Sequence, residues 1–178
     1  MVDLETARKT VRTLIRDVPD FPKPGILFKD LTPVLAAPEA LEQAVQAMAE
    51  PFRHERIDHV VGIEARGFVF GAPTALALGA GFVPVRKPGK LPHEVVSVTY
   101  DLEYGTDTLE IHLDGLGRGE RVLIIDDLLA TGGTAAAAIE LVGKTGAELV
   151  GISFLVELGF LEGRKRLKAP RIESLVRY

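Results

Sequence analysis

The segment Val122-Leu123-Ile124-Ile125-Asp126-Asp127-Leu128-Leu129-Ala130-Thr131-Gly132-Gly133-Thr134 constrains this chain more than any other. Its apolar opening, Val122 to Ile125, lacks polar alternation, which predicts a strand buried on both faces inside a parallel sheet. Asp126 and Asp127 then fall at the carboxyl end of that strand, the edge where open α/β sheets bind ligands. Gly132 and Gly133 carry no Cβ and tolerate positive φ, so consecutive backbone N–H groups can converge on an anion, and Thr131 and Thr134 add hydroxyl donors. The run Ala135 to Ala138 with Ile139 predicts a helix starting at this cradle, its positive end favouring the same anion. Carboxylates do not bind phosphate directly. They accept hydrogen bonds from vicinal hydroxyls or join in holding magnesium. A phosphate beside a diol describes a ribose 5-phosphate. The plainer alternative is an acidic strand end followed by a flexible glycine turn.

Neither Gly-x-x-x-x-Gly-Lys-Ser/Thr nor Gly-x-Gly-x-x-Gly occurs, which sets aside a Walker loop and a dinucleotide fold. At 178 residues the chain suits one α/β domain, 1–178, with a substantial core. Its 47% hydrophobic and 26% charged residues are globular values, not those of a disordered chain. A net charge of −4, with both signs interspersed, speaks against nucleic acid as a partner. The absence of cysteine excludes disulfides, thiol catalysis and cysteine-based zinc sites. Met1 to Glu5 do not read as a secretory leader, and no apolar stretch reaches the ~18 residues that span a bilayer. The expectation is a cytoplasmic protein with no membrane partner.

Along the chain, Leu4, Ala7, Val11, Leu14 and Ile15 recur at helical spacing behind Asp3, predicting a helix over 3–17. Pro19, Pro22, Pro24 and Gly25 end it and open a proline-rich segment, about 19–33, that reads as a hood. A helical pattern over 40–52, a strand over 57–62, a small-residue helix to Leu78 and a strand over 82–86 follow. The loop from Lys87 and the alternating segments 95–100 and 108–113 predict a flexible loop and arm, about 87–113. After the 122–134 segment, its helix runs to about Thr145, a strand covers 149–156 and a short strand closes near 174–178.

Glu64-Ala65-Arg66-Gly67 sits between a buried strand and a helix, so Arg66 can meet an anion with its planar fork; an ordinary strand-to-helix turn is the alternative. Lys87, Lys90 and His93 crowd one loop, as a cover for a leaving group or as a solvated basic loop. Glu103, in the arm's turn, reads on its own as a hairpin carboxylate. Phe28 suits stacking on a flat heterocycle beside Leu27 and Lys29, or a plug that fixes the hood.

Several strings together resemble the adenine phosphoribosyltransferase family of type I phosphoribosyltransferases: residues 21–30, Glu64 to Phe68, Arg86 to Pro92, Leu102-Glu103-Tyr104-Gly105, and Asp126 to Thr134. Phe154 to Leu158, Leu161-Glu162-Gly163-Arg164 and Ser174-Leu175-Val176 fit as well, so the resemblance covers nearly the whole chain. It implies a single-domain type I phosphoribosyltransferase fold: a mainly parallel twisted sheet flanked by helices, with a small N-terminal hood and a mobile arm. It also implies conversion of adenine and 5-phosphoribosyl 1-diphosphate to AMP and diphosphate, with Mg2+ held mainly by substrate and not by a protein metal site. Catalytic roles fall to Glu103, Arg66 and Lys87. Asp126 and Asp127 would hold the ribose hydroxyls, and Ala130, Thr131, Gly132, Gly133 and Thr134 the 5′-phosphate. Lys90 joins Arg66 and Lys87 at diphosphate, while Leu27, Phe28 and Lys29 surround adenine. The family often carries arginine where Lys29 stands. A homodimer is implied. The alternatives are a phosphoribosyltransferase for another base and a regulator that senses the activated sugar.

Overall fold

The computed structural model describes residues 3–101 and 105–178. Helix α1 (Leu4–Leu14) is capped by the Asp3 carboxylate, which accepts from the Glu5 N–H, and buries Ala7 and Val11. It is shorter than its periodicity predicts. Ile15 turns extended and the next residues are claimed by a hairpin, in which β1 (Arg16–Pro19) pairs antiparallel with β2 (Leu27–Asp30). Val18 precedes a proline, which favours extended backbone, and Pro19 supplies no N–H for a helix. Two helices follow, α2 (Thr32–Ala36) and α3 (Pro38–Ala49), each with proline in its first turn, where the missing N–H costs nothing.

The body then alternates strand and helix: β3 (His59–Ile63), α4 (Arg66–Leu78) and β4 (Gly81–Val85). An antiparallel pair, β5 (Val95–Asp101) and β6 (Thr106–His112), forms the arm. β7 (Arg121–Leu129), α5 (Gly133–Thr145), β8 (Glu148–Glu157) and β9 (Ile172–Arg177) complete the order. The central sheet runs β4-β3-β7-β8-β9 with every neighbouring pair parallel. From β3 the chain steps outward to β4, then returns to the other side of β3 as β7. That reversal opens a crevice at the carboxyl edge between β3 and β7.

Alternation along the strands feeds two apolar layers. Val60, Leu123 and Ile125 join α1, α3 and α4 on one face; Val61, Val122 and Ile124 join α5 and the arm on the other. β7 itself is longer than the apolar run suggests. It pairs with β3 only as far as Ile125, but with β8 on to Leu129, so Asp126 and Asp127 lie within the strand and not beyond it. Ile125 belongs to the α4 layer and Leu129 to the opposite one, although they are four residues apart. The alternation of faces therefore slips in the stretch that holds the two acids.

Helix α4 reaches the sheet edge because it packs almost directly on β3. A Cβ at Gly62 would stand 2.6 Å from the Phe82 ring, and one at Gly71 would stand 2.8 Å from the same ring and 3.3 Å from the Gly62 Cα. Gly62→Val forces the Phe82 ring or the helix to move. We expect it to lower stability by about 1–3 kcal/mol, read as an earlier midpoint in urea or thermal unfolding.

Candidate active site

A cavity of about 410 Å³ occupies the crevice at the carboxyl edge of β3 and β7. Its walls come from two segments: Ile63 to Arg66 and the unbroken run Asp126 to Ala135. Two helices begin on this cavity, α4 at Arg66 and α5 at Gly133, and neither start has a side-chain cap. The Phe68 N–H donates to the Ala65 carbonyl at 3.2 Å, and the positive dipole ends of both helices face the cavity without a side-chain cap. Gly132, at φ +84°, supplies the left-handed turn that swings the chain from β7 into α5.

Between the two helix ends stand the acids. Asp127 is buried and takes the Nε of Arg66 as its partner, while more than half of the Arg66 side chain remains exposed. Asp126 opens partly to the cavity, and its Oδ1 accepts from the Asp127 N–H at 2.9 Å. That carboxylate lies against the first turn of α4, where a Cβ on Gly67 would meet Asp126 Oδ1 at 2.9 Å. Burial, reinforced by the neighbouring Asp127 charge, pushes the Asp126 carboxyl well above the usual carboxylate range, and Arg66 offsets this only in part. The Glu64–Ala65 peptide at the cavity wall is cis.

The arm adds a second polar chain. Lys87 Nζ pairs with the Asp107 carboxylate, which also accepts from the Tyr100 hydroxyl at 3.2 Å. Tyr100 Oη lies 3.2 Å from Thr134 Oγ1. With its own proton given to Asp107, the tyrosine accepts from Thr134, so the basic loop and the cradle are joined by hydrogen bonds. Burial alone would raise Asp107, but the hydrogen bonds from Lys87 and the Thr108 N–H hold it below its ordinary value. Glu64 accepts from the Lys87 N–H at 2.8 Å and from Arg86, and these contacts hold it low as well.

Arg66 meets Asp126, Asp127, Ala130, Thr131, Gly132, Gly133 and Thr134, some sixty residues further along the chain, in this single cavity. Lys87 and Lys90 stand beside it and do not line it; the Lys90 carbonyl accepts from Arg86 at 3.2 Å. Leu27, Phe28 and Lys29 lie on β2 of the N-terminal hairpin, away from the cavity wall. Phe28 packs edge-on against Phe21 at 5.1 Å, and Lys29 is held by Asp17 at 2.5 Å and by the Tyr178 ring at 4.0 Å. Glu103 lies outside the described residues. Sequence reasoning does not single out Tyr100 and Asp107, although they are partners in the hairpin register counted outward from the arm's turn.

A family model described as a phosphoribosyl transferase domain matches residues 32–175. The adenine phosphoribosyltransferase of Desulfitobacterium hafniense (strain Y51) is 60% identical over 164 residues, covering 92% of this chain and 95% of that protein. The crystal structure of the adenine phosphoribosyltransferase from Rhodothermus marinus DSM 4252 superposes with a TM-score of 0.92 at 54% identity, covering 98% of this chain and 99% of that one. The Saccharomyces cerevisiae enzyme, crystallised with an imino-altritol bisphosphate and adenine, superposes with a TM-score of 0.91 at 44% identity, covering 96% and 99%. Sequence, fold and the crevice at the strand reversal agree: the chain belongs to the phosphoribosyltransferases and, within them, to the adenine phosphoribosyltransferase family.

Proposed function

We propose that this chain joins adenine to the ribose of 5-phosphoribosyl 1-diphosphate, releasing AMP and diphosphate. The observation that carries this reading is one cavity bounded by two uncapped helix starts with a carboxylate pair between them. Two anion positions flanking hydrogen-bond acceptors match a sugar with phosphate at one end, diphosphate at the other and a diol between. The relatives named above carry the same activity in their names, and the yeast structure pairs adenine with a bisphosphorylated sugar mimic.

In this reading the backbone of residues 130–134 and the start of α5 bind the 5′-phosphate, with Thr131 and Thr134 adding hydroxyls. Asp126 and Asp127 accept from the ribose hydroxyls. Arg66 keeps Asp127 through Nε and turns the remaining edge of its guanidinium, with the start of α4, to diphosphate. Lys87 and Lys90 close over that leaving group, which requires Lys87 to leave Asp107. Leu27, Phe28 and Lys29 surround the base, and Glu103 handles the purine proton. As diphosphate departs, positive charge develops at the sugar and adenine N9 forms the new bond, so catalysis consists of placement and charge stabilisation.

Magnesium fits this donor set as a passenger of the substrate. Two carboxylates, the hard oxygen donors that magnesium prefers, face the place where sugar oxygens would lie. When bound, the ion neutralises diphosphate charge. The same reading includes one domain spanning 1–178, a homodimer and a cytoplasmic setting; no helix among the described residues is long and apolar enough to cross a membrane.

Diphosphate release across adenine, hypoxanthine, guanine, xanthine and orotate tests the base. A mispaired buried donor costs about 1–3 kcal/mol, so adenine should lead by about tenfold or more; turnover of 6-oxopurines without adenine would refute the assignment. Asp126→Asn separates binding from stability. Because the folded protein prefers this carboxyl protonated, its ionised form destabilises the ligand-free fold: the cost is absent below the ordinary carboxylate range and complete above the raised value. The variant should therefore melt higher than wild type at about pH 8, with the gap shrinking towards about pH 4. Its KM for the activated sugar should rise about tenfold or more; an unchanged KM would remove Asp126 from the sugar site.

A further inference from the structure

We propose that Glu157 and Arg164 are positioning residues that hold the cradle of residues 130–132 in its binding shape by fixing Gly163 against it. This rests on the assignment of that cradle to the 5′-phosphate. Neither residue lines the cavity, and the C-terminal strings that contain them have no other part in the chemistry above.

The contact between the two segments is backbone on backbone. A Cβ on Gly132 would stand 2.5 Å from the Gly163 carbonyl oxygen. A Cβ on Gly163 would collide with the Ala130 carbonyl oxygen and stand 2.9 Å from the Gly132 nitrogen and from the Thr131 carbonyl carbon. Each side must be glycine, and a shift of the Gly163 peptide is passed to the cradle without a side chain to absorb it. On its other side the cradle leads directly into α5. The Gly163 peptide is thus the support for a loop whose own turn is left-handed.

Arg164 decides where that peptide sits. Its Nε reaches both Glu157 carboxylate oxygens, at 3.2 and 3.3 Å, and its Nη2 donates to Oε2 at 2.6 Å. Nη1 donates to the Ile172 carbonyl at 2.8 Å, and Nη2 also lies 3.3 Å from Ser174 Oγ. The side chain is therefore tied to β8 and β9 together. Glu157 is 1% exposed, is the final residue of β8, and lies in register with Leu129, the residue immediately before the cradle. Ser174 Oγ donates to it at 2.7 Å, and the Leu158 N–H donates to the Leu129 carbonyl at 2.9 Å. Contacts thus run from the end of β7 across β8 to Arg164 and back to the cradle through Gly163. Burial alone would raise the Glu157 carboxyl, but Arg164 and Ser174, with Arg177 Nε at 3.4 Å, hold it below the usual range.

The test measures the affinity of ribose 5-phosphate, together with KM for each substrate and kcat, in wild type, Glu157→Gln, Arg164→Lys, Arg164→Ala and Gly163→Ala, with the melting temperature of each. Lysine retains charge but loses the fork. We expect ribose 5-phosphate affinity to fall, and KM for the activated sugar to rise, about tenfold in Glu157→Gln and Arg164→Ala. Arg164→Lys should be intermediate, and the KM for adenine should stay within about twofold. Gly163→Ala, which pushes on the cradle directly and keeps the ion pair, should show the same selective loss and serves as the reference for a displaced Gly163 peptide; Arg164→Lys, the mildest of the charge variants, decides the matter if the others fail to fold. Variants that fold and bind ribose 5-phosphate as wild type does would overturn the inference, as would equal losses for both substrates. A wild type that binds ribose 5-phosphate without turning over adenine would overturn the activity alone, since the inference is judged on that affinity.

Discussion

A parallel sheet covered on both faces has one place for polar chemistry, the edge where its strands stop pairing. Val122 to Ile125 are wholly buried, so the first acids on β7 emerge where β3 has ended and only β8 still pairs. Asp127 tolerates that burial because Arg66, at the start of α4, supplies the opposite charge. Asp126 has no ion-pair partner of its own among the described residues, and burial together with the neighbouring Asp127 charge raises its carboxyl. Ionising Asp126 in the ligand-free fold thus carries an electrostatic cost.

Small residues set the geometry around these charges. Gly62, Gly67 and Gly71 let α4 settle on the β3 and β7 backbones, which brings its amino end to the acids. Gly132 and Gly163 perform the corresponding service for the loop before α5. Both helices begin without a side-chain cap, although a cap adds about 1 kcal/mol to a helix. Both starts forgo that stability and open on the cavity.

Chemistry carried by contiguous residues is legible in the amino-acid sequence alone. The strand, cradle and helix from Val122 onward form one local unit, and composition and spacing suffice to recognise it. Boundaries set by partners are less legible. The extension of β7 to Leu129 depends on β8, and the early end of α1 depends on β2. The hood residues illustrate the same limit: Lys29 finds Asp17 and Tyr178, contacts that no local spacing encodes. The place of Arg66 at a strand-to-helix turn is recognisable from its neighbours in sequence, but its attachment to Asp127 is not, because the two are joined only when α4 lies beside β7. Asp127, which the sequence places at the end of a strand, is buried, and that burial too depends on what packs beside β7.

The interlocking of Gly132 with Gly163 also orders events during folding. The loop at the end of β7 cannot be held until a later stretch of chain has crossed the sheet as β8 and turned back, so its final shape is a non-local product. A nascent or partly refolded chain with β3, β7 and α5 already in place would still lack a finished anion grip. If that loop binds the 5′-phosphate as proposed, capture of the ligand would report that the last strands have docked, and mass action would draw the population towards that completed state.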